Sequence, residues 1–244
     1  MYSLLAPPPH HQISKFCRNQ MSHQLPTISL STERPCQKIV DEIRAACLTY
    51  GFFQITEYTH IVPQVLQSRA LEVSRQFFEL PLSEKQSLVK ADHIAGGYEP
   101  YKIMNLDPSD ENGYGHNEGF SFAAAPNPTA WPEELLVQEF RETMVEYYNA
   151  VSSLAKQLGR YIAIGLGLSE YYFDDFFQDQ LAHVKLAHYY RPQGAEDARF
   201  SVGVAPHTDW GAVTILAQDQ IGGLEVFDQT TSEWIKVDTS TYCQ

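Results

Sequence analysis

The chain has 244 residues, 43% hydrophobic and 12% aromatic, enough to bury a core in one large domain or two small ones. Its 17 basic and 30 acidic residues leave a net charge of -13, which repels phosphate backbones and anionic lipid and argues against nucleic acid and membrane surfaces as partners. Four cysteines without a CxxC spacing, no apolar N-terminal leader, and no run of the roughly 18 apolar residues that span a bilayer predict a soluble, reduced, cytoplasmic protein.

Residues 1–24 carry a proline run and no acidic residue, and are expected to form a flexible tail. LPTISLS, from Leu25 to Ser31, alternates like a short strand. A helix should follow, opened by Pro35, closed by Gly51, with Ile39, Ile43, Ala46 and Tyr50 at helical spacing. FFQIT (Phe52 to Thr56) reads as a second strand, and PQVLQSRALEVSRQFFEL as a second helix ended by Pro81. Ser83, three residues before Gln86, predicts a capping box on a short third helix.

Residues 91–130 mix Gly96, Gly97, Gly113, Gly115 and Gly119 with Asn, Asp and Pro, and read as a long functional or mobile loop. The clearest helix comes next, PEELLVQEFRETMVEYYNAVSSLAKQLGRYIAIGLGL, with Leu136, Phe140, Met144, Tyr147, Val151, Leu154, Leu158 and Ile162 in one apolar stripe. The period then drops from 3.6 to 2, and HVKLAHYY, VTILAQ, GLEVF and EWIKV read as successive strands. The organisation expected is a tail over 1–24, an N-terminal region over 25–130, supporting helices over 131–180 and a strand-rich region over 181–244.

The chemistry concentrates in APHTDWGAVTIL. On a strand, residues i and i+2 share a face, so His207 and Asp209 would present an imidazole and a carboxylate side by side while Thr208 points away. Two such groups and a second imidazole make the 2-His-1-carboxylate triad of non-haem Fe(II) oxygenases, which leaves coordination positions open for co-substrate and dioxygen. The spacing is weak evidence alone, because His116 and Glu118 repeat it in the Gly-rich loop, and an isolated histidine of this kind is more often a surface or hydrogen-bonded residue.

Order and spacing of several motifs sharpen the reading. LPTISLS, YGFFQIT, FFELPLSEKQSL, GGYEP, NEGFSF and PHTDWGAVTILAQDQIGGLEVF together resemble the isopenicillin N synthase-like family of 2-oxoglutarate and Fe(II)-dependent dioxygenases, over about residues 25–237. The resemblance implies an α+β fold, a double-stranded β-helix (jelly roll) with helices on its outer face and iron at its mouth. It assigns His207 and Asp209 to metal, and Tyr190 to the strand tyrosine that touches co-substrate or substrate; His188 stands where that motif usually has Asn. Tyr98 and Phe120 are candidate pocket walls, though core is the commoner role of a buried aromatic. His116 and Glu118 read as loop residues near the substrate entrance.

The family's third ligand is a histidine some fifty residues further on, followed by an Arg-x-Ser for the distal carboxylate of 2-oxoglutarate. Here His207 is the last histidine and Arg199 the last arginine. The expectation is therefore a roll lacking its last strands and impaired activity, with His188 a remote candidate for the missing ligand. The function implied is oxidation of a small organic metabolite by Fe(II), 2-oxoglutarate and dioxygen, with no oligomeric state fixed. The alternative is a non-catalytic remnant or binding module; a zinc hydrolase ranks last because no HExxH is present.

Overall fold

The computed structural model describes residues 24–89, 96–100, 117–123, 129–175, 182–189, 203–204, 206–209 and 211–239. The chain opens with a parallel pair, β1 (Thr27–Ser29) and β2 (Gln54–Thr56), joined by α1 (Cys36–Thr49). Pro35 stands just before α1, where its missing N–H is no loss, and Gly51 leaves it at φ 71°, a conformation glycine adopts without steric cost. Helix α2 (Gln64–Glu79) ends ahead of Pro81, and α3 (Leu82–Gln86) follows at once. No capping box forms on α3. The Pro81 carbonyl already accepts from the Glu84 and Lys85 amides, so the helix starts before Ser83, which lies inside it.

The span expected to be a loop contains the centre of a sheet. Strand β3 (Gly97–Glu99), β4 (Asn117–Ala123) and β5 (His183–Tyr189) pair antiparallel in that order, with Phe120 opposite both Tyr98 and Leu186. Glycine and charge hid β4 in the sequence, yet Glu118, Phe120 and Phe122 alternate onto one face. That face packs against α2 and α4 (Phe140–Gly165). Helix α4 begins later than its apolar stripe suggests, because Glu139 adopts φ 57° and breaks the helical path.

Among the described residues the core has three parts. Around β4, Phe77 of α2 lies 4.9 Å from Phe120 and stacks on Phe140 at 5.1 Å, with Met144, Tyr98 and Phe122 beside them. The C-terminal half of α4 contributes Leu154 and Leu158 to a second cluster with Ile28, Ile39 and Ile43. A third, small cluster joins Leu25 to Val226 and Ile235 of the hairpin β6 (Glu225–Asp228) and β7 (Glu233–Lys236) and to Val237 just after it. Tyr98 and Phe120 are buried in the first of these clusters.

VTILAQ forms no strand. A strand persists through hydrogen bonds to a neighbour, and among the described residues Val213–Gln218 has no ladder partner, so alternation alone does not hold it in a sheet. No helix of the described residues is long and apolar enough to cross a membrane.

Candidate active site

Strand alternation gives the three-stranded sheet two distinct faces. The helix-side face carries Tyr98, Glu118, Phe120, Phe122, Val184, Leu186 and His188. The opposite face carries Asn117, Gly119 and Ser121 from β4, Lys185, Ala187 and Tyr189 from β5, and Glu99 from β3.

The segment leading to His207 meets this second face. Asn117 donates through Nδ2 to the Gly203 carbonyl at 3.2 Å, and a Cβ on Gly203 would lie 2.5 Å from the Tyr189 ring, so only glycine fits there. Four residues on, His207 Nε2 lies 3.3 Å from Asp209 Oδ1, both side chains about half exposed. Residues 207–209 are irregular rather than a strand, yet the imidazole and carboxylate face each other across Thr208. Donor atoms about 2.1 Å from one ion at right angles lie about 3 Å apart, so the pair fits two adjacent positions of an octahedral metal. Among the described residues no third His, Cys, Asp or Glu joins them.

His188 is engaged on the other side of the sheet. Its Nδ1 is 2.9 Å from Glu118 Oε1 and its ring stacks on Phe78 at 5.1 Å. Tyr190, His116 and Trp210 lie outside the described residues. Glu118 is not a loop residue: it is 6% exposed on β4 and accepts two bonds from Lys85 Nζ, at 2.8 and 2.9 Å, and one from the Tyr98 hydroxyl. Lys85, itself 6% exposed, also donates to the Phe78 carbonyl at 2.8 Å, tying α3 and the end of α2 to β4.

Burial pushes the Glu118 carboxyl up, but hydrogen bonds from His188, Lys85 and Tyr98 and the Lys85 charge outweigh it and hold the group at about 2. Its folded pKa is therefore below the ordinary 4.5, so the stabilisation is complete above that value and is lost as pH falls from there towards 2. Urea unfolding midpoints at about pH 6 and about pH 3 should differ more for the natural chain than for Glu118→Gln, which has no carboxyl to titrate.

The non-haem dioxygenase in morphine synthesis N-terminal family matches residues 25–138, and the 2OG-Fe(II) oxygenase superfamily matches residues 182–243. The chain is 30% identical over 234 residues to the 2-oxoglutarate-dependent dioxygenase traH of Penicillium crustosum, covering 87% of this chain and 70% of that one. It belongs to the 2OG-Fe(II) oxygenase superfamily. A second member, the 2-oxoglutarate-Fe(II) type oxidoreductase hxnY of Emericella nidulans, is 34% identical across 82% of this chain and 61% of its own. The fold matches that of a full-length Neurospora crassa protein in complex with alpha-KG and thymine, with a TM-score of 0.75 at 23% identity over 90% of this chain and 72% of that one. The chain spans 61 to 63% of the length of the first two curated relatives. The superfamily's cofactors are Fe(II) and 2-oxoglutarate, as the sequence motifs lead one to expect, and its fold is the jelly roll with flanking helices.

Sequence reading did not single out Tyr189, Lys185 and Glu99, which share the face that the segment leading to His207 meets. The signal was available in part: once Phe120 and Leu186 are taken as core, every second residue from them must point away, which selects Lys185 and Tyr189. Nothing local marks Glu99.

Proposed function

We propose that the protein containing this chain oxidises a small organic metabolite, using Fe(II), 2-oxoglutarate and dioxygen, as an isopenicillin N synthase-like enzyme. The observation that carries the reading is the facing of His207 Nε2 and Asp209 Oδ1 on a segment tethered to the face of the sheet opposite α2 and α4. When bound there, ferrous iron supplies the redox chemistry that activates dioxygen at the expense of the oxoacid. The chain's own residues hold and orient: His207 and Asp209 offer two adjacent donors, and Gly203 against Tyr189 fixes where their segment leaves the sheet.

Tyr190, the second tyrosine of the strand motif, is the residue proposed to meet the co-substrate, with Tyr189, on the face that Gly203 meets, as an alternative. His188 stays a candidate co-substrate contact, and its bond to Glu118 and stacking on Phe78 support a second role in positioning β5. A reducing, cytoplasmic setting is supported by the free, exposed thiols of Cys36 and Cys47.

Metal binding tests the reading. Mn(II), a redox-quiet probe read by paramagnetic resonance, should bind the natural chain, and His207→Ala or Asp209→Ala should each weaken it by about 100-fold or more, since even outer-shell partners are worth about 10- to 100-fold. Unchanged binding in both variants would overturn the assignment of these ligands.

A further inference from the structure

Two anchors flank the metal pair, on different parts of the molecule. The first is the tether at Gly203, whose carbonyl accepts from Asn117 Nδ2 at 3.2 Å beside the Tyr189 ring. The second lies beyond the pair. Every described residue from Pro206 to Thr214 is exposed, and Ile215 is the first to turn inward. It packs against the second core cluster, built by Ile28 of β1, Ile39 and Ile43 of α1, and Leu154 and Leu158 of α4.

Among the described residues the stretch around Ile215 has little other support. Val213–Gln218 has no ladder partner there, so backbone pairing does not fix its course. Val213 and Leu216 are 41% and 48% exposed. Gln218 is half-buried, but its Nε2 is enclosed without a hydrogen-bond partner and offers no comparable grip. The next apolar side chain packed on a cluster is Leu224, at the third one. Releasing Ile215 therefore lengthens the span between fixed points from 203–215 to 203–224, and a longer span samples more conformations. Ile215 also stands only six residues after Asp209, at most about 20 Å of extended chain, so its seat limits where the carboxylate can go.

We propose that Ile215 is a positioning residue for the metal site: its seat in the second cluster, opposed by the Gly203 tether, keeps the His207 imidazole and the Asp209 carboxylate turned towards each other before any ion arrives. Both side chains of the pair are about half exposed, so the placement of their backbone carries much of that facing. Donors already facing each other lose less freedom on binding an ion, and the anchor raises affinity without touching the metal. The inference rests on the proposed ligand assignment for its consequence and on packing alone for its geometry.

The test uses the full chain with Mn(II) as probe, each variant first shown to be folded by its unfolding curve. Ile215→Ala should weaken Mn(II) binding by about tenfold, the lower end of what supporting partners of metal ligands contribute, and broaden the paramagnetic-resonance lines of the bound ion as its ligand geometry spreads. Ile215→Val keeps most of the contact and should bind within about twofold of the natural chain. Leu216→Ala, at an exposed side chain, should leave affinity unchanged, and so should Val226→Ala, which lowers stability through the third cluster. Ile215→Thr, which puts a hydroxyl in the same seat, gives the reading if Ile215→Ala does not fold. Natural affinity in that Ile215 variant, or an equal loss in Leu216→Ala or Val226→Ala, would overturn the proposal. The metal-free chain separates the anchor from the ligand assignment. There the His207 ring resonances, identified by their loss in His207→Ala, should move towards those of free histidine in Ile215→Ala and stay in place in Leu216→Ala. That movement, combined with Mn(II) binding indifferent to His207→Ala, would keep the anchor and reject the ligands; unmoved resonances would reject the anchor whatever Mn(II) does.

Discussion

Replacing Glu118 with alanine is expected to lower the free energy of unfolding by about 3–5 kcal/mol, the cost of stranding one partner of a buried ion pair. The reason is geometric. Lys85 is 6% exposed and directs its ammonium at both Glu118 oxygens and the Phe78 carbonyl, so the truncated side chain leaves a positive charge with one carbonyl in place of a carboxylate. The loss should exceed that of any surface pair, such as Arg75 with Glu72 and Glu79 on the exposed side of α2, where water screens the charges. Removing both charges together, in a Lys85→Met, Glu118→Leu chain, should recover most of the lost stability, because desolvation of the ions disappears with their attraction. Chemical denaturation of the three chains measures this. A Glu118→Ala midpoint equal to that of the natural chain would mean that the pair contributes nothing to the fold.

Phe120→Ala should cost a similar amount, about 3–5 kcal/mol, by a different route. The Phe120 ring is fully buried, 4.9 Å from Phe77, 5.4 Å from Phe140 and 5.6 Å from Trp131, so its removal leaves a cavity whose aromatic walls cannot collapse inward without moving α2 or α4. Phe120→Leu should lose less, since it refills part of the space. The two substitutions are distinguishable by acid. Glu118→Ala removes a titrating group and flattens the acid limb of the stability curve, whereas Phe120→Ala lowers the curve and leaves its acid limb in place. Unfolding midpoints across pH read both.

These two residues also mark the boundary of what the sequence discloses. The amphipathic helices α1 and α2, and strands β1, β2, β5, β6 and β7, are written in local periodicity and punctuated by Pro35, Gly51 and Pro81, so their existence is legible without coordinates. Strand β4 is not, because Glu118 and Gly119 look like loop residues until Lys85 and Tyr98 supply partners from 33 and 20 positions away. Long-range pairing leaves no mark in a local window. The converse failure occurs at VTILAQ, where alternation is present and no neighbouring strand of the described residues completes the ladder.

The candidate site was half legible. His207 and Asp209 are found by spacing, and the structure turns them towards each other even without the strand on which the spacing argument rested. The strand motif HYY was less informative, since it contains two tyrosines and a histidine and a one-residue choice of register exchanges the faces they occupy. Pairing of His188 with Glu118 and of Tyr189 with Asn117 settles which of these two lies on the helix side.

Helix α4 runs about 39 Å at 1.5 Å per residue, and among the helices of the described residues it alone contributes buried side chains to both larger clusters. Tyr147 packs against each of them, midway along it. The molecule is therefore sprung on a single beam. Loosening the β1–β2 end withdraws support from the same rod that backs the β3–β4–β5 sheet, so a substitution in one cluster is expected to lower the stability of the other.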